Sequence, residues 1–362
     1  MRGAVLALML FTPSIRYPGT YPLLGHAAWL GWTVSDLIFP LFLFVSGLSL
    51  ALMLRGPITT KKKRRLVRRL LALLVIGVAY NALASPLELS TLRFTGVLQL
   101  IGISGSVAAL LVLLTRRPDG KDRLGMLAAA AVGLTLAYGA VLVWSPGSCD
   151  RFANGCNPFF PLEEAVLGRG HLYLPLGDTT YDPEGLAVSI AAAGLVIAGF
   201  LANRTMMTMG SRKGGVVLAA SAASGTASAL ILDQWLPISK RLLTPTFVLL
   251  AASIGTLLFV ALVALFDARR GEGLAPWQER VRKVVAWPLV VLGANALVVF
   301  LSERVLLVAA AQTSIDGRPT GQRLLEQIGS DPWAALVLST GLLLVVFGIT
   351  ALMFWRGWRI AL

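Results

Sequence analysis

The stretch DLIFPLFLFVSGLSLALML (residues 36–54) runs directly into RGPITTKKKRRLVRR (residues 55–69). The first carries one charge, Asp36, at its very start. As a helix it is roughly 28 Å long, enough to cross the hydrocarbon core of a bilayer. The second holds eight lysines and arginines and no acid. An apolar run of this length ending in a basic block reads as a membrane span whose C-terminal end meets the cytoplasm, the side on which Lys and Arg are retained.

The rest of the chain extends that pattern. Of 362 residues, 56% are apolar and 14% charged, and the mean hydropathy is +0.75. A soluble fold of this length needs a polar shell that so few charges cannot supply. Apolar runs recur near 36–54, 66–84, 95–115, 124–144, 185–202, 214–232, 244–266, 286–311 and 332–355, with a shorter one at 3–12. The expected fold is therefore an all-α, polytopic membrane bundle of about ten helices forming one domain over 1–362. The run at 3–12 lacks an Ala-x-Ala cleavage site and reads as the remainder of a span rather than a signal peptide.

Alternating the spans sorts the loops. One set, with both termini, holds 23 of the 32 basic residues; it is assigned to the cytoplasm, leaving 13–35, 145–184 and 312–331 outside. The net charge of +14 is thus largely an orientation signal and does not point to nucleic acid. Cys149 and Cys156 share the outward loop 145–184, where a disulfide fits an oxidising compartment; the bland alternative is two unpaired small residues.

Polar side chains inside or at the mouth of apolar runs are costly unless paired or lining water, so they are the informative ones. His26, one of two histidines, can exchange a proton near neutral pH, or can simply sit in an interfacial belt with Trp29 and Trp32. Asp36 suits either the first turn of a helix or the orientation of His26. His171 lies in a second outward group with Tyr181, Asp182 and Glu184, where Asp-Pro-Glu-Gly also reads as a helix entry turn. Gln99, Asn295 and Glu303 lie on separate spans, as packing hydrogen bonds or as a shared cavity. The run holding Lys62, Arg64 and Arg68 is topogenic and headgroup-binding, or docks a polyanion such as the phosphates of coenzyme A. There is no Walker loop, nucleophile elbow or zinc-type cluster, and no metal is expected.

The segment from His26-Ala27-Ala28-Trp29-Leu30-Gly31-Trp32-Thr33 through Asp36-Leu37-Ile38-Phe39-Pro40 to Gly47 resembles the heparan-α-glucosaminide N-acetyltransferase family and its bacterial relatives. Further similar segments follow in the family's order: Gly96-Val97-Leu98-Gln99, Leu167-Gly168-Arg169-Gly170-His171-Leu172-Tyr173, Tyr181-Asp182-Pro183-Glu184-Gly185, Pro237-Ile238-Ser239-Lys240-Arg241-Leu242-Leu243-Thr244 and Gly293-Ala294-Asn295-Ala296. The resemblance implies transfer of an acetyl or other acyl group from cytoplasmic acyl-coenzyme A to an amine or hydroxyl of an extracytoplasmic glycan or sugar-like acceptor. It implies His26 as the catalytic histidine, as general base or acyl carrier, with Asp36 as its orienter. Gln99, Asn295, Lys62, Arg64 and Arg68 are then expected on the donor, and Trp29, Trp32, His171, Tyr181, Asp182, Glu184, Lys240 and Glu303 on the acceptor. The expected partners are membrane lipids, acyl-CoA and the acceptor in a cell membrane, with a homodimer left open. A multi-pass transporter for a small solute is the alternative; broken helices would favour it.

Overall fold

The computed structural model describes residues 1–12, 21, 23–83, 88–144, 152–153, 155–173, 181–267, 275–315, 317–329 and 332–360. They are mostly helical: α1 (Arg2–Phe11), α2 (Val34–Met53), α3 (Thr60–Ala82), α4 (Val97–Thr115), α5 (Leu124–Trp144), α6 (Phe160–Leu167), α7 (Leu186–Ala191), α8 (Ala193–Met209), α9 (Ser211–Leu232), α10 (Pro245–Phe266), α11 (Pro276–Ala294), α12 (Ala296–Gln312), α13 (Thr320–Ile328) and α14 (Pro332–Trp355). A short antiparallel pair, Ser314–Ile315 with Arg318–Pro319, precedes α13.

Among the described residues, seven helical segments are long and apolar enough to cross a bilayer, or eight if the bent pair α11 and α12 is one span. The about ten expected from apolar runs is not confirmed: three of the runs give no single long apolar helix among the described residues. First, α1 has only ten residues, too few to cross. Second, α3 starts at Thr60, capped by Thr59, and nothing between Lys61 and Leu70 breaks a helix. The basic block is therefore the first half of α3 rather than a loop, and only the second half is apolar. The expected span 286–311 is also interrupted, since α11 and α12 meet at Asn295 with a bend of 75°.

The described residues form two compact units. One contains Ala28–Trp32 and Phe39–Ala264. Its centre is built on small residues: a Cβ added at Gly47 would lie 1.8 Å from the Val196 carbonyl oxygen, and one at Gly199 would lie 2.0 Å from that of Phe44. Helices α2 and α8 therefore touch backbone to backbone, the close approach that glycine allows between spans. The other unit contains Met1–Ala27, Thr33–Ile38 and Leu265–Leu362. Here α1 packs on α11 in the same manner, with Gly3 against the Leu289 carbonyl. The apolar residues exposed on α5, α9, α10 and α14 belong to helices whose apolar windows are only 17–28% buried, as lipid-facing surfaces require.

Candidate functional site

The start of α2 is capped by its own first-turn acid. Thr33 is the residue before the helix, and Asp36, three residues on, reaches back to accept the Thr33 backbone N–H at 3.1 Å through Oδ2. An acid three residues into a helix commonly plays this part. The same oxygen accepts the Ala27 N–H at 3.0 Å. Ser35 donates its hydroxyl to the Leu24 carbonyl at 2.5 Å and Thr33 donates to that of Gly25 at 2.6 Å. These bonds fold residues 24–27 over the end of α2, and the other carboxylate oxygen, Oδ1, meets Nδ1 of His26 at 2.8 Å.

Capping and orienting are thus one arrangement rather than rival readings of Asp36. Its side chain is 2% exposed while His26 is 48% exposed. A carboxylate is acceptor-only, so Nδ1 carries the hydrogen and donates it to Asp36. In that tautomer Nε2 is the unprotonated nitrogen, on a side chain that is half-exposed. That is the tautomer and orientation a general base or an acyl-accepting nucleophile needs.

A second cluster lies in the other unit, around Arg93. Its Nη2 meets Asp182 Oδ1 at 2.7 Å and Glu184 Oε2 at 2.6 Å, and its guanidinium stacks 4.7 Å from the Tyr173 ring centre. Burial alone would lower the Arg93 pKa; the carboxylates of Glu184 and Asp182 outweigh it, so the pKa is raised. Asp182 is fully buried and also accepts from Thr95 Oγ1 at 2.5 Å, Tyr173 N at 2.9 Å and Glu184 N at 2.9 Å. It is a satisfied anchor for residues 92–95 and 181–185.

Tyr181 takes the hydroxyl-directed hydrogen bond of Arg241 and packs edge-on against Trp29, with centroids 4.8 Å apart. The Trp29 indole N–H donates to the Phe152 carbonyl at 2.5 Å. The Trp29 carbonyl accepts from Ser239 Oγ at 2.9 Å, and the Gly31 N–H donates to the Ile238 carbonyl at 2.7 Å. The segment 237–244 is therefore the seat on which residues 28–32 rest, and Lys240 lies in it, half-buried.

Other expected residues have local roles. His171 stacks on Phe94 with centroids 4.1 Å apart and donates from Nδ1 to the Leu92 carbonyl at 2.7 Å. Trp32 is exposed and Glu303 buried on α12. Gln99 is buried against Gly77, and its Nε2 has no hydrogen-bond partner among the described residues. Asn295 is fully buried; its Nδ2 donates to the Trp358 carbonyl at 3.2 Å and its Oδ1 accepts from the Ile360 N–H at 2.9 Å. Lys62 turns back to the carbonyls of Arg55 and Pro57, whereas Arg64 and Arg68 are exposed. Cys156 is disulfide-bonded; Cys149 lies outside the described residues.

Sequence reasoning missed Arg93, Arg241 and Glu163. Arg93 and Arg241 were legible only as bases kept on the sparsely charged outward side. Glu163, on α6, is buried with Oε2 unpartnered, while Oε1 accepts the Ala187 N–H at 3.1 Å. Burial pushes its pKa up to about 7, assisted by the charge of Asp182 and opposed by the N–H groups of Ala187 and Leu186.

Comparison with known proteins falls on the histidine-bearing end of the chain. Residues 1–148 match the sequence model of "Heparan-alpha-glucosaminide N-acetyltransferase, catalytic". The human heparan-alpha-glucosaminide N-acetyltransferase is 25% identical over 321 residues, covering 74% of this chain and 48% of the relative. The mouse protein of the same name is 24% identical over 360 residues, covering 84% and 52%. The chain spans about half the length of the curated relatives it matches. The resemblance read from the motifs is thus a finding: the part of the chain that carries His26 and Asp36 is similar to the catalytic region of the heparan-α-glucosaminide N-acetyltransferase family.

Proposed function

We propose that the protein is a membrane-embedded acyltransferase that moves an acetyl or other acyl group from cytoplasmic acyl-coenzyme A to an amine or hydroxyl of an extracytoplasmic glycan or sugar-like acceptor, in a cell membrane. The observation that carries this reading is the His26–Asp36 pair: a buried carboxylate bonded to Nδ1 of a half-exposed imidazole. In the direct route, Nε2 takes the proton of the acceptor amine or hydroxyl as that atom attacks the thioester carbonyl carbon. The C–S bond breaks, and the coenzyme A thiolate leaves with the proton that Nε2 returns. In the covalent route, Nε2 attacks the thioester carbonyl carbon and the C–S bond breaks to release the coenzyme A thiolate; the acceptor amine or hydroxyl then takes the acyl group from the acyl-imidazolium, the N–acyl bond breaks to restore neutral Nε2, and the acceptor's proton passes to the thiolate. Asp36 serves both by holding the ring and stabilising the imidazolium.

For the donor, the polyanionic end is drawn to the cationic cytoplasmic loops. A cleft of about 780 Å³ there includes Arg116, Arg117, Lys121 and Arg204. Arg116 and Arg204 are tied to Asp122 and to the Leu54 carbonyl, so Arg117, together with the exposed Lys121 at 3.9 Å from Asp119, is offered to phosphates. On the acceptor side, Trp29, Tyr173 and Tyr181 supply the aromatic surface that sugar rings pack on, with Glu184 and Lys240 as polar neighbours.

The bend between α11 and α12 favours the second reading, a transporter with a broken helix at its binding site. Thermal unfolding with millimolar acetyl-coenzyme A separates the two. The transferase is stabilised by its donor and releases free thiol in the presence of a glucosamine acceptor; no shift and no thiol release would favour the transporter.

A further inference from the structure

The basic block on α3 has two faces. Lys62 is bonded to backbone carbonyls and Arg69 donates to Ser46 Oγ at 3.1 Å. By contrast, Lys61, Lys63, Arg64, Arg65 and Arg68 make no ion pair or side-chain hydrogen bond among the described residues, and α3 contains no acid. Below these free cations, on the same side of the helix, Val67 is 57% exposed, Leu71 56% and Val75 68%. Lys63, Arg64 and Arg68 share with these apolar residues one open surface hollow of about 740 Å³ along the helix, and a second hollow of about 770 Å³ sits among the cations themselves.

We propose that this face of α3 is a binding site for an anionic phospholipid of the cytoplasmic leaflet. The lipid phosphate sits among Lys63, Arg64 and Arg68, and an acyl chain lies along Val67, Leu71 and Val75. The length fits: from Arg64 to Val75 is roughly 16 Å of helix, close to the ~15 Å of hydrocarbon in one leaflet. The charges fit too, because an anionic headgroup supplies the counter-charge that the fold does not. A soluble polyanion such as coenzyme A would use the cations and leave the exposed apolar stripe without a role. The inference does not rest on the acyl-transfer reading and adds a lipid requirement to whatever the protein does.

Native mass spectrometry of the purified full-length protein, titrated with phosphatidylglycerol and phosphatidylcholine, tests it. The wild type retains phosphatidylglycerol about tenfold more strongly, and the exposed double substitution Arg64→Gln/Arg68→Gln weakens that binding about tenfold, to the level of phosphatidylcholine, while leaving phosphatidylcholine unchanged. The control Arg117→Gln/Lys121→Gln keeps the full preference. Equal retention of the two lipids by the wild type, or an unchanged preference in the α3 variant, overturns the proposal. So does an equal loss in the control, which would mean that net charge alone governs retention. Loss of coenzyme A binding with lipid retention intact in the α3 variant would assign the cations to the donor instead.

Discussion

Asp36 performs two tasks with two oxygens, and substitution separates them. In Asp36→Asn, the amide oxygen still accepts the Thr33 and Ala27 N–H groups, so α2 keeps its cap. The amide NH₂ then faces His26 Nδ1, and the ring must accept there and carry its hydrogen on Nε2, which ends its capacity as a base. Acyl transfer falls by on the order of a hundred- to ten-thousandfold with little change in thermal stability; a fall in stability matched by little loss of activity would assign Asp36 to the cap alone. Glu163 carries a pH prediction. Its pKa is raised to about 7 in the folded protein from the ordinary carboxyl value of 4.5, so between those values the folded state holds a proton that the unfolded chain has released. Stability from this group is therefore full below about pH 4.5 and lost as pH rises through 7. Glu163→Gln removes the loss, leaving the variant more stable than wild type by on the order of 2 kcal/mol at pH 8 and no more stable at pH 4. Thermal melts across that range check it. Arg93→Gln leaves the buried Asp182 without its cation and destabilises by about 3 kcal/mol, read in the same melts.

At the scale of elements, spans were the legible part of the sequence because bilayer thickness imposes a length: α2, α4, α5, α9, α10 and α14 all fall on apolar runs. Where the reading stopped was where a helix obeys local rules instead. The basic start of α3 is helical because Thr59 caps it and no breaker intervenes, which hydropathy alone does not register. The break at Asn295 left no strong mark either, since a single Asn in an apolar run fits a packing hydrogen bond equally well. In the structure its amide holds Trp358 and Ile360, residues more than sixty positions away. Asn295→Ala leaves those two backbone groups without partners, and we expect faster tryptic cleavage at Arg356 and Arg359, measured as mass loss from the intact protein. The α2–α8 crossing makes its own prediction. Gly47→Ala forces a Cβ into the Val196 carbonyl and lowers stability by at least about 2 kcal/mol, seen as earlier loss of the monodisperse species on heating in detergent.

For the whole molecule, the charge balance proved informative only after it was divided by loop. The His26–Asp36 pair was readable because its partners lie ten residues apart in one motif. The Arg93 cluster was not, because its acids stand 89 and 91 residues further along the chain and no local pattern announces the pairing. The division of charge by loop is the sequence feature behind the proposed transfer between a cytoplasmic polyanion and an external acceptor. The central claim is that His26 performs that transfer. It is tested most directly in sealed proteoliposomes of defined orientation, with labelled acetyl-coenzyme A on the side of the basic loops and a glucosamine acceptor on the other. The account predicts labelled product on the acceptor side for the wild type and at least about a thousandfold less for His26→Ala at equal protein incorporation; product formation by His26→Ala at the wild-type rate would contradict it.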